Sequence, residues 1–435
     1  MTRCRFHTVN VSRISLVWQL EIAQSYVPLC YILYSMRFYD TQQGAVIDFR
    51  PPAHGPVRMY TCGVTPYDAA HVGHIFTFMT YDILQRRLED EGFEVRLVRN
   101  VTDVDEPIYV RAAENGEDYR QLAARETGRL RSVLDSLHFR PAHAEPLASE
   151  YVDQMAEAVK RLLDQGDAYH LDHDIYFDIG KSDDFEASVT IPSRLLVPLM
   201  AERGGDPDRH GKRHPLDFLL WKGVTDDDPI AWQTVVGRGR PGWHIECSVM
   251  SEALLGKQFD IHGGGVDLVF PHHACERAQT AALTGSPQAR YWMHVAPTAL
   301  YGEKMSKSLG NLVFAHELLE HWQPDTIRLA LMSYHYRTGG EWQDERLTKA
   351  EAIRSALQTM VSVPELPDTT AYLASIRQAL DDDLNIPLVW NQLCCLSRDT
   401  DKTDDSDGSR RAALMTIGDL LGLDVVKGLD ASQSS

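Results

Sequence analysis

The sequence has no surplus of positive charge. Its 435 residues carry 43 Lys and Arg against 62 Asp and Glu, which gives a formal net charge of −19 at pH 7. A protein that binds nucleic acid through a broad surface needs an excess of lysine and arginine, because it must neutralise phosphates. The composition therefore argues against that class of protein, although a local basic groove is compatible with it.

Cysteines are few, and no long apolar run is uninterrupted. Seven cysteines without regular spacing do not form a disulfide framework, which predicts a reducing, cytoplasmic setting with thiols available as metal ligands. Polar residues interrupt the apolar stretch from Ser15 to Tyr34, so it is too short for a membrane span. Because Met36 opens a segment typical of a domain start, residues 1–35 are predicted to be an extension without function or a misplaced start.

Short strand-like segments alternate with helical ones after Met59. VRMYTCG is strand-like, TFMTYDILQRRLEDEG has helical spacing, and FEVRLVRNVTD is strand-like again. This β-α-β order predicts a parallel sheet with right-handed crossovers. Further along, QFDIHGGG, DLVFPHH and YWMHVAPTAL are predicted to be strands, AERGGDPDRHGKRHP is predicted to be a loop, and the chain after Lys304 is predicted to be mostly helical.

Two stretches carry residues suited to phosphate. In GEKMSKSLGN, Lys304 and Lys307 stand among glycines and serines, and lysine is a compact charge that suits phosphate oxygens. His71 and His74 flank Gly73 just before a predicted helix, whose N-terminus binds anions through free N–H groups. Taken singly, these stretches are also compatible with a solvated loop and a capping histidine. Together they predict a phosphate site.

Cysteine and histidine residues that are distant in sequence could form a metal site. Cys62, Cys247 and His272 each end a strand-like run, and two thiolates with one imidazole are a plausible zinc set with an open fourth position. Buried cysteines that act as small apolar residues are the competing interpretation. Three further residues could supply a fourth ligand, and the sequence does not rank them: Glu276, which lies one helical turn after His272, His273 and Cys275.

The segments RPGWHIEC and DIHGGGVDLVFPHH fit a ligand pocket. Trp243 could form an apolar or stacking wall. Three glycines before Asp267 allow a close approach of the backbone to a nucleoside, and Asp267 could accept hydrogen bonds from a cationic amine or a ribose. The same glycines are equally compatible with a tight turn between elements.

Together these stretches resemble the class I aminoacyl-tRNA synthetases. Residues 71–74 resemble the HIGH signature of that class, and KMSKS at 304–308 is identical to its second signature. GRPGWHIECS, DIHGGG, FPHH and EKMSKSLGN are similar to the cysteinyl-tRNA synthetases within it. The resemblance implies an α/β fold with a Rossmann-like parallel sheet core, an inserted domain and a C-terminal helical bundle. The implied limits are 1–35 for the extension, 36–140 and 226–310 for the two halves of the core, 141–225 for the inserted region and 311–435 for the helical domain.

A second family is similar in more places. The cysteine:glucosaminyl-inositol ligases of mycothiol biosynthesis share the form of Cys62–His74, including Thr65 and Pro66, and the ERGGDP motif at 202–207. Only about 90 residues follow the Trp342 region, which leaves little room for an anticodon-reading domain. Val266 departs from the serine often found in the ligases, and "KRHPLDFLLWK" is equally typical of the tRNA enzymes.

The ligase resemblance implies ATP-dependent activation of L-cysteine as cysteinyl-adenylate, and its transfer to the amine of glucosaminyl-inositol. The protein is also predicted to be a cytoplasmic monomer that has no membrane partner. Cys62, Cys247 and His272, with Glu276 as a possible fourth ligand, would hold Zn²⁺, and Mg²⁺ would accompany ATP. A cysteinyl-tRNA synthetase with a tRNA acceptor is the alternative, and a non-catalytic paralogue is a third interpretation.

The resemblance also implies site residues. Four residues are expected to act on the phosphates: His71, His74, Lys304 and Lys307. The residues expected to bind substrate or adenylate are Cys62, Gly63, Val64, Thr65, Thr77, Asn100, Val101, Thr102, Trp243, Gly265, Val266 and Asp267.

Overall fold

A computed structural model describes residues 36–182, 185–186, 189–225, 228, 230–300, 303–304 and 312–424. Lys307 and residues 1–35 lie outside the described residues, and of Lys304 only the backbone is described. The first elements are β1 (Arg37–Asp40), β2 (Ala45–Asp48), β3 (Val57–Val64), α1 (Val72–Asp90), β4 (Val95–Val101), α2 (Glu106–Asn115), α3 (Tyr119–Ser136), α4 (Val152–Gln165), β5 (Ala168–Leu171), β6 (Asp174–Phe177), α5 (Leu196–Glu202), β7 (Phe218–Gly223), β8 (Trp232–Thr234) and β9 (Gly237–Pro241). They are followed by α6 (Trp243–Leu255), β10 (Phe259–Gly265), α7 (His272–Thr284), β11 (Ala289–Val295), β12 (Thr298–Leu300), β13 (Glu303–Lys304), α8 (Ala315–His321), α9 (Pro324–Leu331), β14 (Gly340–Glu341), α10 (Asp344–Val361), β15 (Glu365–Leu366), α11 (Thr369–Asp381), α12 (Ile386–Leu396), β16 (Thr403–Asp404) and α13 (Ser409–Leu421).

A parallel sheet forms the centre of the molecule. Its strand order is β11-β10-β3-β4, and every neighbouring pair is parallel. Helix α1 connects β3 to β4 and helix α7 lies between β10 and β11, so the predicted β-α-β units are confirmed. In this order β4 lies next to β3 on one side, and β11 lies next to β10 on the opposite side. The direction in which strands are added therefore reverses between β3 and β10. Ligands of such sheets bind at this switch point, beside the carboxyl ends of the strands.

Two further layers complete the fold. The chain between α4 and α6 forms an antiparallel sheet of order β5-β6-β7-β9-β8, in which the rings of Phe177 and Phe218 stack at 4.9 Å. The chain after β12 is largely helical in its described part, as predicted, and α13 packs against α1. An inserted unit and a C-terminal helical bundle are therefore present, while the exact domain limits stay a prediction.

Within the described residues, no helix combines the length and the apolar character needed to cross a bilayer.

A buried arginine ties the helical bundle to helix α1. Arg328 on α9 donates to the Asp82 carboxylate over 2.6 Å and to the carbonyl oxygens of Leu137 and Leu421 over 3.0 Å each. Burial by itself raises the pKa of Asp82, but the charges of Arg328 and Arg86 outweigh burial and lower it. Since α1 carries His71 and His74 at its start, the bundle supports the helix that borders the predicted phosphate site.

Two local predictions are wrong. The segment predicted as a strand over DLVFPHH forms a 3-10 turn at Val266–Val269, and His272 then begins α7. Cys247 does not end a strand either, because it lies within α6. The run around Cys247 is apolar because it is buried in the core, whereas in the other run Phe270 is buried and Leu268 and Val269 are partly buried against the core. Such runs do not distinguish a buried strand from a buried helix or turn.

Candidate functional site

The carboxyl ends of β3 and β10 and the start of α1 border a cleft of about 610 Å³. It lies at the switch point of the sheet, between β3 and β10, where the direction of strand addition reverses. The predicted residues that line this cleft are His71, His74 and Thr77 from the start of α1, Cys62, Gly63, Val64 and Thr65 from β3 and the turn after it, and Trp243, Gly265, Val266 and Asp267 from the opposite wall.

The two histidines of the HVGH stretch stand together at the mouth of α1. His71 is the N-cap, and its Nδ1 accepts a hydrogen bond from the N–H of Gly73 over 3.1 Å. The His71 and His74 rings stack with their centroids 3.9 Å apart. A Cβ at Gly73 would lie 2.8 Å from the His71 ring, so glycine permits this close approach. His71 therefore both caps α1 and lines the cleft.

Asn100, Val101 and Thr102 lie behind the cleft wall. The Asn100 Oδ1 accepts from the N–H of Gly63 over 2.9 Å, and its Nδ2 donates to the Thr102 hydroxyl over 3.1 Å. The N–H of Thr102 in turn donates to the carbonyl oxygen of Val64 over 3.1 Å. These bonds position the backbone that follows Cys62. A direct contact of the three residues with an adenylate stays a prediction.

Gly63 is expected to tolerate no side chain. A Cβ there would stand 1.7 Å from the Asn100 carbonyl oxygen, which belongs to the core sheet and cannot move away freely. We expect Gly63→Ala to lower the free energy of unfolding by about 1–3 kcal/mol. In the matched control, Gly128→Ala within α3, no atom lies within 4 Å of the new Cβ, so the helix should gain up to about 1 kcal/mol. Urea denaturation measures both, and equal stabilities would contradict the clash.

The predicted metal ligands converge from three elements. Cys62 comes from β3, Cys247 from α6, and His272 and Glu276 from consecutive turns of α7. One ligand atom of each lies within 4.8 Å of the others, and all four side chains are buried. The two Sγ atoms are 3.7 Å apart. Two thiolates bound at about 2.3 Å to a tetrahedral zinc ion would lie roughly 3.8 Å apart, so the spacing fits.

The state of His272 also fits a metal ligand. Its Nε2 is buried, makes no hydrogen bond within the described residues and lies 3.2 Å from a carboxylate oxygen of Glu276, while its Nδ1 lies 2.9 Å from the Nδ1 of His244. Burial lowers the pKa of His272 to about 3, so the ring is neutral and a nitrogen lone pair is available. A metal ion would bind the lone pair of this Nε2 atom, for which the part of the chain that the structure describes supplies no hydrogen-bond donor.

A second ligand set shares two members with the first. Cys62 and Glu276 also group with His262 and His273, and the Cys62 Sγ lies 3.2 Å from the His273 Nε2. His273 therefore remains a candidate beside Glu276. Cys275 belongs to neither set, and burial raises the pKa of its thiol, which keeps it protonated.

Sequence reasoning missed the polar residues that surround this cluster. The second oxygen of Glu276 accepts from the Nε2 of His262 and from the Nε2 of Gln288, at 2.9 Å each. The Nδ1 of His273 lies 2.6 Å from the Nε2 of His294. These contacts orient the candidate ligands. The available signal was a histidine in each of several apolar segments, WHIEC, DIHGGG and YWMHV, but single histidines in such runs are usually structural.

The chain is similar to proteins of known family. The family model for the catalytic domain of class I (C) tRNA synthetases matches residues 48–352. An L-cysteine:1D-myo-inositol 2-amino-2-deoxy-alpha-D-glucopyranoside ligase from Thermobifida fusca is 46% identical over 349 residues, which cover 80% of this chain and 84% of the relative. The ligase of the same name from Nocardiopsis dassonvillei is 41% identical over 392 residues, 89% of this chain and 95% of the relative. The chain belongs to this ligase family.

Solved structures agree with the fold of the ligase family. Mycobacterium tuberculosis methionyl-tRNA synthetase in complex with methionyl-adenylate superposes with a TM-score of 0.61, covering 86% of this chain and 90% of that one. At 17% identity this likeness concerns the fold alone. The predicted class I synthetase α/β fold and the predicted ligase family are thus both confirmed.

Proposed function

We propose that this protein is an ATP-dependent, AMP-forming ligase that joins L-cysteine to the amine of glucosaminyl-inositol in mycothiol biosynthesis. Membership of the ligase family supports this function over a cysteinyl-tRNA synthetase. The observation that carries it is the buried group of Cys62, Cys247 and His272 beside the nucleotide cleft. A soft ligand set next to a nucleotide site suits an enzyme that must select a thiol substrate.

Cys62, Cys247 and His272 would hold Zn²⁺, with Glu276 or His273 adjacent to it. When bound, the ion supplies a soft Lewis acid for the thiolate of the substrate cysteine and a much poorer partner for the hydroxyl of serine. Burial of all these side chains excludes water from the thiol pocket. The protein would thereby distinguish cysteine from serine at the binding step and would need no editing site.

The nucleotide half of the reaction would take place at the start of α1. The cysteine carboxylate attacks the α-phosphorus of ATP in line, and pyrophosphate leaves with its electron pair. His71 and His74 are proposed to donate hydrogen bonds to the phosphates as charge builds up, together with the N-terminus of α1. Lys304 and Lys307 are proposed to stabilise the departing pyrophosphate, which Mg²⁺ accompanies.

An acceptor assay tests this function. The protein receives cysteine and ATP with either glucosaminyl-inositol or tRNA, and cysteinylated products are measured by mass spectrometry. We expect an amide of glucosaminyl-inositol and no cysteinyl-tRNA. Cysteinylated tRNA would favour the tRNA synthetase alternative, and the absence of cysteine-dependent pyrophosphate exchange would favour a non-catalytic paralogue.

The remaining proposals concern the state of the protein. The free thiols of the described cysteines support a reducing, cytoplasmic location. A monomer is proposed from the sequence, and analytical ultracentrifugation of the full chain measures it directly.

A further inference from the structure

A second cavity, of about 800 Å³, adjoins the nucleotide cleft. Thr65, Tyr67 and Trp243 line both spaces, so the two are neighbours across a shared wall. The far wall is formed by residues 203–206 of the ERGGDP motif and by the antiparallel sheet. Apart from Thr65 and Trp243 in the shared wall, no residue with a role proposed above for cysteine or ATP lines this cavity. Its size suits a ligand larger than an amino acid.

Two of the carboxylates that line this cavity are neutralised by arginines. Glu106 accepts from Arg240 over 3.0 Å. Asp174 is paired with Arg209 and also accepts from the N–H of Gly223 over 2.8 Å. Neither carboxylate therefore needs a further cation.

Two more carboxylates of the cavity wall are likewise satisfied by the protein. Asp206 is paired with Lys212 over 3.1 Å. Asp217 is buried and accepts from the Tyr169 hydroxyl over 2.7 Å and from the N–H of His214 over 2.8 Å. These groups present polar edges that suit hydroxyl groups of a ligand without adding uncompensated charge.

Asp105 differs from the other four carboxylates. Its Oδ1 accepts from the N–H of Glu106 over 2.9 Å and caps α2, and its Oδ2 accepts from the Thr65 hydroxyl over 3.2 Å. Within the part of the chain that the structure describes, it forms no ion pair. Asp217 forms none there either, but that buried carboxylate accepts three hydrogen bonds from the protein. Burial raises its pKa to about 6, which brings its proton affinity near that needed for acid–base work at neutral pH. Its hydrogen bond with Thr65 places it beside the wall that the cavity shares with the cleft.

We propose that Asp105 binds the ammonium group of the acceptor in this second cavity and takes the proton that the amine must lose before it attacks the adenylate. The proposal rests on the proposed function. An ammonium group would supply the countercharge that Asp105 lacks, and the satisfied polar groups of the wall would contact the hydroxyls of an amino sugar. Asp267 lines the cleft rather than the cavity, so it is the nearer carboxylate for the ammonium of the substrate cysteine.

Transfer requires the ammonium group of the acceptor to lose two protons in all. The acceptor ammonium gives one proton to the Asp105 carboxylate, and the free amine attacks the carbonyl carbon of cysteinyl-adenylate. The N–C bond forms as the C–O bond to phosphate breaks, and AMP leaves with the electron pair. The amide nitrogen gives its second proton to the phosphate of AMP, and Asp105 returns its proton to solvent.

Asp105→Asn in the zinc-loaded full chain tests this role. Asparagine caps a helix as well as aspartate does, so α2 should remain intact. We expect cysteine-dependent pyrophosphate exchange, and trapping of the adenylate by hydroxylamine, to stay within about threefold of the unchanged protein. Hydroxylamine is already neutral near neutral pH and needs no base. Transfer to glucosaminyl-inositol should fall by at least about 100-fold.

A matched control and a second variant complete the design. Asp118 caps α3 through the N–H of Arg120 over 2.8 Å, away from the cavity, so Asp118→Asn should leave all three rates unchanged. Asp105→Ser retains a capping side chain without a carboxylate and should behave like Asp105→Asn.

Three outcomes of this experiment would overturn the role of Asp105. Unchanged transfer to glucosaminyl-inositol would do so, as would an equal loss of hydroxylamine trapping, which indicates a structural role. A raised KM for cysteine in exchange would assign Asp105 to the amino acid instead. If the unchanged protein exchanges pyrophosphate but does not transfer to glucosaminyl-inositol, the proposed function fails, and this result is independent of Asp105.

Discussion

Replacing Cys247 by alanine is expected to remove bound zinc and cysteine activation together. The Cys247 Sγ lies 3.7 Å from the Cys62 Sγ, and the whole group of candidate ligands is buried. A side chain from the protein surface therefore cannot take the place of the lost thiolate. Removing a residue that only hydrogen-bonds to a metal ligand lowers metal affinity or activity by about 10- to 100-fold. Removing a ligand thiolate itself should therefore lower cysteine activation by more than about 100-fold. The remaining ligands would be one thiolate, one imidazole and one carboxylate, a weaker set for zinc.

Metal content and pyrophosphate exchange are measured on the same preparation. Cys275→Ala is the matched control, because Cys275 is an equally buried thiol on α7 that belongs to neither ligand set. It should retain zinc and exchange. Full exchange activity in a zinc-free Cys247→Ala protein would refute the assignment of Cys247 and, with it, the selection of cysteine through its thiol.

Replacing His74 by asparagine is expected to slow adenylation without disturbing cysteine binding. His74 stacks on His71 at the start of α1 and lines the cleft, but it is in neither ligand set. Removing one preorganised donor to a developing phosphate charge typically lowers kcat by about 10²- to 10³-fold. Zinc content should be unchanged, and the KM for cysteine should stay within about threefold.

Exchange kinetics at varied cysteine and ATP concentrations check this prediction. His316→Asn is the control, since His316 is an exposed histidine on the neighbouring helix α8. An unchanged exchange rate in His74→Asn would remove His74 from the phosphate site. Loss of zinc in that variant would show that the two halves of the site are not independent. Together the Cys247 and His74 variants separate selection of the thiol from activation of the carboxylate.

The sequence predicted the core sheet well because its signals are local. Alternation along β3 and β4, the helical spacing of α1 and the glycines at the end of β10 each lie within one continuous segment. The HVGH stretch was correctly predicted to lie at the start of a helix for the same reason, since a helix cap and its first turn are neighbours in sequence.

Lys307 lies outside the described residues, so its proposed role rests on the sequence alone.

The sequence failed where long-range packing decides the outcome. The short apolar run before His272 forms a turn and a helix start instead of a strand, and Cys247 is helical. Burial gives helices, turns and strands the same apolar composition over four to six residues, so the pattern is ambiguous. His262 and His294 were missed because single histidines in apolar segments carry no signal for one another.

By itself, the sequence determined the ligase family, the parallel sheet and the residue types that could hold a metal, and it predicted the stretches that bind phosphate. Only the tertiary structure decided which of those residues meet. It brings Cys62 and Cys247 together across 185 positions of chain and separates Cys275 from the other candidates. It also leaves Asp105 without the ion pair that Glu106, Asp174 and Asp206 have. The physical reason is that a metal site or an uncompensated charge depends on distances between elements, which local periodicity does not encode.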